Sequence, residues 1–217
     1  MGFFTSFLDL LFPPKCVFCL KLLRGADYWC HKCEHELLLT VDGGRQEGEF
    51  YDFCVSPLYY SGDVRKSIHR FKFRGSVAYA EAYAKILASC IKDHVDVKYD
   101  IISWVPLSGK RKRLRGYDQA MLLALATALE LDDVAAETLV KPRDVQAQSE
   151  LRGKEERSAN IEGAYEVTDR ELVEGKCLLL VDDIITTGST LDECAKVLLS
   201  AGASKVICAA LAKGTQS

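Results

Sequence analysis

The chain has 217 residues, of which 48% are hydrophobic and 27% charged, with 28 Lys and Arg against 31 Asp and Glu for a net charge of −3. That balance excludes wholesale disorder, which needs low hydrophobicity and high net charge. No fixed-period repeat marks a solenoid, and no apolar run approaches the roughly 18 residues of a membrane helix, so a soluble chain with no membrane span is expected.

Taken in order, residues 3–12 read as a short amphipathic helix ended by Pro13-Pro14. Gly2 and Ser6 fit a loose lipidation pattern that arises often by chance. Four cysteines follow: Cys16, Cys19, Cys30 and Cys33 form two Cys-x2-Cys pairs separated by ten residues. Two sulfurs three positions apart on a tight knuckle can point at one ion, and two knuckles complete a tetrahedron of thiolates around Zn2+. Four thiolates leave no open coordination position, so the zinc is expected to be structural. The nearby His31 and His35 are bystanders by that count. A disulfide framework would require an exported protein, whereas the N-terminal stretch lacks a basic region and a small-residue cleavage site. A reducing, cytoplasmic setting is therefore expected. The other five cysteines (54, 90, 177, 194 and 208) sit mostly among apolar neighbours and read as small buried hydrophobes.

Residues 1–45 form the expected zinc module and 46–217 a second, larger domain, with the glycine-rich stretch 42–49 as the linker. Residues 50–60 look strand-rich. Asp63 is placed to cap a helix carrying Arg65, Lys66, Arg70, Lys72 and Arg74, and a further helix is expected over about 77–91. A short strand at 101–106 precedes a second basic run, Lys110, Arg111, Lys112, Arg113 and Arg115, which reads as a loop. A helix over 116–131, a strand near 137–140 and an aperiodic polar stretch at 141–160 come next. Cys177–Val181 is a continuous apolar strand of the kind buried in a parallel sheet, followed by a helix at about 190–201 and a strand at 206–211. The alternation predicts an α/β domain whose ligand lies beyond the carboxyl ends of the strands.

One segment carries the chemistry: Leu179-Leu180-Val181-Asp182-Asp183-Ile184-Ile185-Thr186-Thr187-Gly188-Ser189-Thr190. Backbone amides at the start of the following helix are orphan donors at the positive end of a dipole, a seat for phosphate. Gly188 lets the backbone close on the anion. The two acids would repel phosphate but suit the hydroxyls of a vicinal diol.

This segment resembles the phosphoribosyl pyrophosphate (PRPP) motif of type I phosphoribosyltransferases. With the cysteine module, Val105-Pro106-Leu107, residues 113–120, Gln148, Arg157, Asn160 and Gly163-Ala164-Tyr165, the whole chain resembles the ComF family of competence-associated phosphoribosyltransferase-like proteins. The resemblance implies a type I phosphoribosyltransferase fold, a mainly parallel sheet flanked by helices, with a small zinc-ribbon-like N-terminal module. It implies that Asp182 and Asp183 are catalytic and hold the ribose hydroxyls, with Ile184 beside them. Thr186, Thr187, Gly188, Ser189 and Thr190 would hold the 5-phosphate, and Mg2+ would arrive with PRPP. Asp118 stands where the family usually has Asn. Thr186 stands where purine-salvage enzymes carry an acidic base, which disfavours purine salvage.

Two functions follow from the resemblance. One is a phosphoribosyltransferase acting on an unknown acceptor with release of pyrophosphate. The other is a non-catalytic DNA-uptake adaptor that binds single-stranded DNA and a competence helicase and uses the fold as a ligand sensor. The run Lys110–Arg115 fits a pyrophosphate clamp, a track for a single-stranded backbone, or a solvated loop. Phe71, Phe73, Trp104 and Tyr117 lie within or beside the basic segments and suit either core packing or base stacking. The hood over the site is expected from the zinc module or residues 50–75.

Overall fold

A computed structural model describes residues 13–214 apart from 24, 26, 38, 74–77 and 143–162. The N-terminal helix expected at 3–12, and Arg74, Gln148, Arg157 and Asn160, lie outside the described residues.

The scaffold is a five-stranded sheet. At its centre run β6 (Cys177–Ile185) and β7 (Lys205–Lys213), paired in parallel with Leu179 opposite Ile207. Strand β3 (Ile101–Trp104) flanks β6, and the short β1 (Cys54–Val55) and β2 (Leu58–Tyr59) both pair with β7, all in parallel. Residues 177–181 and 206–212 are buried throughout, because a parallel strand is covered on both faces. Alternate side chains serve two cores. Leu179, Val181, Ile207, Ala209 and Leu211 pack with Phe71, Tyr83 and Leu123 on one face, and Leu178, Leu180, Val206 and Cys208 pack with Leu191, Cys194 and Leu198 on the other.

The first face carries α2 (Gly62–Phe73), α3 (Ala78–His94) and α5 (Gln119–Leu131), and the second carries α6 (Ser189–Ser200). The six-residue α1 (His31–Glu36) belongs to the cysteine module. Strands β4 (Leu139–Val140) and β5 (Glu166–Val167) form a separate antiparallel pair. Cys16, Val17 and Phe18 are buried in the same core as Phe71 and Tyr83.

Three local expectations change. The basic run is not a loop but a helix, α4 (Gly109–Arg115), ended by Gly116 at φ 82°. Lysine, arginine and leucine are all good helix formers, and Gly116 supplies the left-handed stop. The stretch 42–49 is not a free linker. Gly43 and Gly44 are buried, and Gln46 exchanges backbone hydrogen bonds with Cys54 at 3.0 and 2.7 Å, so this segment is stitched to the sheet edge. Asp63 lies inside the first turn of α2 and pairs with Lys66 at 2.9 Å, which takes its carboxylate away from a capping role. The remaining scattered cysteines (54, 90, 177, 194 and 208) are buried as expected. No helix among the described residues is long and apolar enough to cross a membrane.

Candidate functional site

Strand β6 runs four residues beyond the apolar segment and so carries Asp182 and Asp183 at its carboxyl end. They open into a cleft of about 510 Å³, within the range of small-molecule sites. Asp182, Asp183, Ile184, Thr186 and Thr190 line it from β6 and the following turn, and Val105 to Ser108 line it from the end of β3. Of the basic run, Arg111 and Arg115 line the cleft. Lys110, Lys112 and Arg113 are exposed. Helical geometry makes this division, since positions i and i+4 share a face. Arg115 is anchored by a 2.6 Å hydrogen bond to Gln119 Oε1.

The acid pair is asymmetric. Asp183 is 8% exposed and meets Lys72 Nζ at 2.7 Å. Asp182 accepts the backbone N–H of Asp183 at 2.7 Å. Burial, with the adjacent Asp183 charge second, pushes the Asp182 carboxyl up to about 8, against the pull of Lys72. Cations that meet the cleft from three segments (Lys72, Arg111, Arg115 and Lys141) face its acids, so it offers both signs of charge to one ligand. Lys141 donates to the Tyr165 hydroxyl at 3.0 Å.

The turn after β6 brings a positive-φ glycine and two hydroxyls together. Gly188 adopts φ 84° at the N-cap of α6, and the Thr187 and Ser189 hydroxyls lie 2.9 Å apart. A Cβ on Gly188 would come 2.5 Å from the Tyr51 hydroxyl, so Tyr51 forms the floor of this turn. First-turn amides of α6 have no acceptor within the helix.

Asp118 has a structural explanation. Its Oδ2 accepts the Leu107 N–H at 2.7 Å and its Oδ1 accepts the Met121 N–H at 3.2 Å, which ties the loop after β3 to the start of α5. An Asn would keep only one of these acceptors. Burial holds the Asp118 carboxyl above its ordinary range despite those bonds.

Among the described residues, those over the cleft come from 50–75, as Tyr60, Lys72 and Phe73, and none from the cysteine module. Phe71 and Trp104 are core, whereas Phe73 is 58% exposed with the Arg115 guanidinium 5.0 Å from its ring centroid. Sequence reasoning assigned no cleft role to Lys72, Lys141, Tyr165 or Gln119. Lys72 was one cation in a run, and only its helical phase relative to the buried Ile68 and Phe71 could have singled it out.

The four module cysteines converge. Their sulfurs all lie within 4.8 Å of one another, with Cys19 and Cys30 at 3.6 Å. A tetrahedron with Zn–S bonds of about 2.3 Å has edges of about 3.8 Å, so the set fits Zn2+. His31 and His35 face each other on the outside of α1, with Nε2 atoms 3.1 Å apart.

The phosphoribosyl transferase domain family matches residues 119–217. The DNA utilization protein YhgH of Salmonella typhimurium is 31% identical over 88% of this chain and 86% of its own length. The chain belongs to the ComF family. Competence protein ComFC of Bacillus subtilis is 28% identical over 82% of the chain, which spans 66% of that relative. Competence protein F of Haemophilus influenzae is 28% identical over 88% of this chain and 86% of its own. Among solved structures, a glutamine PRPP amidotransferase from B. subtilis superposes with a TM-score of 0.44 at 19% identity, over 65% of this chain and 30% of that one. By its family match, its relatives, its parallel sheet and its cysteine cluster, the molecule is a ComF-type protein with a phosphoribosyltransferase fold and a four-cysteine module suited to zinc.

Proposed function

We propose that the cleft of this ComF protein binds PRPP, with Asp182 and Asp183 on the ribose hydroxyls and the turn from Thr186 to Thr190 around the 5-phosphate. The observation that carries this is a single cavity in which the adjacent carboxyls of Asp182 and Asp183, Thr186 and Thr190 from the turn and helix start, and four cations converge. Arg111, Arg115 and Lys72 are positioned to neutralise the pyrophosphate, and oxygen donors in the cleft suit a Mg2+ ion that comes with it. In transfer, an acceptor nucleophile bonds to the sugar C1 while the C1–O bond breaks and pyrophosphate leaves with the electron pair. The negative charge held by the acid pair favours the cationic ring that develops. Thr186 lies exposed at the cleft and carries no proton-accepting group at neutral pH, which argues against a purine as acceptor.

A second role is favoured by Lys110, Lys112 and Arg113, which are exposed on α4, and by the competence and DNA-utilization names of the relatives. These cations suit the backbone of a single strand, and a competence helicase is a natural partner for a factor of that kind. A cytoplasmic location suits both roles and the reduced thiolates.

Calorimetry with PRPP and Mg2+ tests the first role. Binding is expected in the wild type and absent in the Asp182→Ala, Asp183→Ala double variant; equal heats from both would remove the acids from the site. Release of pyrophosphate, followed with bases, single-stranded DNA or no acceptor, separates an enzyme from a sensor.

A further inference from the structure

Helix α2 touches both the cysteine module and the cleft. On its module side, Ser67 Oγ donates to the Val17 carbonyl at 2.5 Å, and the Arg70 guanidinium donates to the Val17 and Phe18 carbonyls at 2.8 and 2.6 Å. Val17 and Phe18 are the two residues between the sulfur ligands Cys16 and Cys19, so these carbonyls belong to the first knuckle itself. Arg70 is braced by the Tyr79 hydroxyl at 3.1 Å, and Ser67 by the Tyr83 hydroxyl at 2.5 Å. Two residues past Arg70, Lys72 reaches Asp183 at 2.7 Å, and Phe73 forms part of the cleft wall. The Tyr117 hydroxyl donates to the Phe71 carbonyl, so the last turn of α2 is tied both to the knuckle and to the segment after α4.

We propose that the knuckle sets the position of Lys72, with Ser67 and Arg70 as positioning residues, and thereby tunes the affinity of the cleft for an anionic sugar phosphate. This rests on the ligand class proposed above. The metal fixes which way the two knuckle carbonyls point. Without it the loop relaxes, a buried serine and a half-buried arginine lose their acceptors, and the final turn of α2 carries Lys72 away from Asp183. Linkage requires the converse: a ligand that engages Lys72 and Asp183 raises the affinity for the metal by the same factor that the metal raises ligand affinity, with couplings typically about 5- to 150-fold.

The test uses the zinc-loaded full chain with Arg70→Met, which keeps the apolar stem and all four thiolates, and Arg70→Lys, which restores a donor. Arg70→Met is expected to retain one zinc per chain, to bind PRPP with Mg2+ about tenfold more weakly, and to lose the rise in zinc affinity, measured by equilibrium competition with a chelator, that saturating PRPP is expected to give the wild type; Arg70→Lys recovers part of both. Unchanged PRPP affinity together with an unchanged rise in zinc affinity in Arg70→Met would overturn the coupling. If the zinc-loaded wild type binds no PRPP at all, the proposed ligand fails, and amide exchange then decides the coupling separately. Faster exchange at residues 68–73 on zinc removal supports it, and exchange unaltered by zinc removal overturns it.

Discussion

Lys72 Nζ lies 2.7 Å from Asp183 Oδ2 at the edge of the cleft, and this ion pair joins α2 to the carboxyl end of β6. It leaves Asp182 and Asp183 with unequal electrostatic surroundings although they are adjacent in sequence. Asp183 is in direct ion-pair contact with Lys72, whereas desolvation and the neighbouring Asp183 charge raise the Asp182 carboxyl against a weaker pull from the same lysine. A ribose diol approaching the pair therefore meets one carboxylate already committed to a cation.

Replacing Lys72 with Met would leave Asp183 unpaired beside Asp182. A loss of about 2–3 kcal/mol in urea denaturation is expected, below the roughly 3–5 of a fully buried pair because the cleft admits water. Lys72→Arg should recover most of it. Equal stability of Lys72→Met and wild type would show that the pair contributes nothing to the fold.

The raised Asp182 carboxyl makes a signed prediction for pH. A group that holds its proton more tightly folded than unfolded stabilises the fold below the unfolded value near 4, and that contribution is lost as pH rises through the folded value of about 8. Asp182→Asn removes the titration. The variant should gain melting temperature relative to wild type as pH rises from 5 to 8, at about 2–4 °C per kcal/mol. A difference that stays flat over this range would contradict the shift.

The helical phase of α4 divides its cations into Arg111 and Arg115, which line the cleft, and Lys110, Lys112 and Arg113, which are exposed. Arg111→Ala with Arg115→Ala should weaken PRPP binding by at least tenfold in calorimetry. Lys110→Ala, Lys112→Ala and Arg113→Ala together should leave it within about twofold while lowering single-strand affinity and flattening its salt dependence. The reverse pattern would reassign both groups.

At Gly188 two penalties act together, since a Cβ would meet the Tyr51 hydroxyl at 2.5 Å and φ is 84°. Gly188→Ala is expected to cost about 2–4 kcal/mol, from strain of about 1–3 plus the overlap, and to abolish phosphate binding. Adding Tyr51→Phe removes the clashing oxygen and should return part of the stability but not the part due to φ. Full recovery would mean the backbone carries no strain.

Metal analysis of the purified protein should give about one Zn per chain, and chelation should lower its melting temperature. Cys16→Ser should lose most of that zinc; a variant retaining both metal and stability would exclude Cys16 as a ligand.

The parallel sheet and the acid pair were legible because each is written locally. An unbroken apolar run marks a strand covered on both faces, and Asp182-Asp183 followed by Thr-Thr-Gly-Ser-Thr is contiguous. The cysteine spacing was equally local. Lys72 and Tyr51 were hidden because their meaning depends on partners more than a hundred residues away, Asp183 and Gly188. The basic run misled for another reason: clustered like charge suggests a solvated loop, yet each residue in it favours a helix and Gly116 ends it cleanly.

Strands β6 and β7 are flanked by β3 on one side and by β1 and β2 on the other, all from the N-terminal half of the chain. A fragment starting at residue 119 would keep the acid pair and its glycine turn but expose two bare hydrogen-bonding margins. The turn would also have lost Tyr51 beneath it. Such an excised half would offer both margins to other copies of itself, so the most recognisable motif of this protein depends on the less recognisable half for a closed sheet.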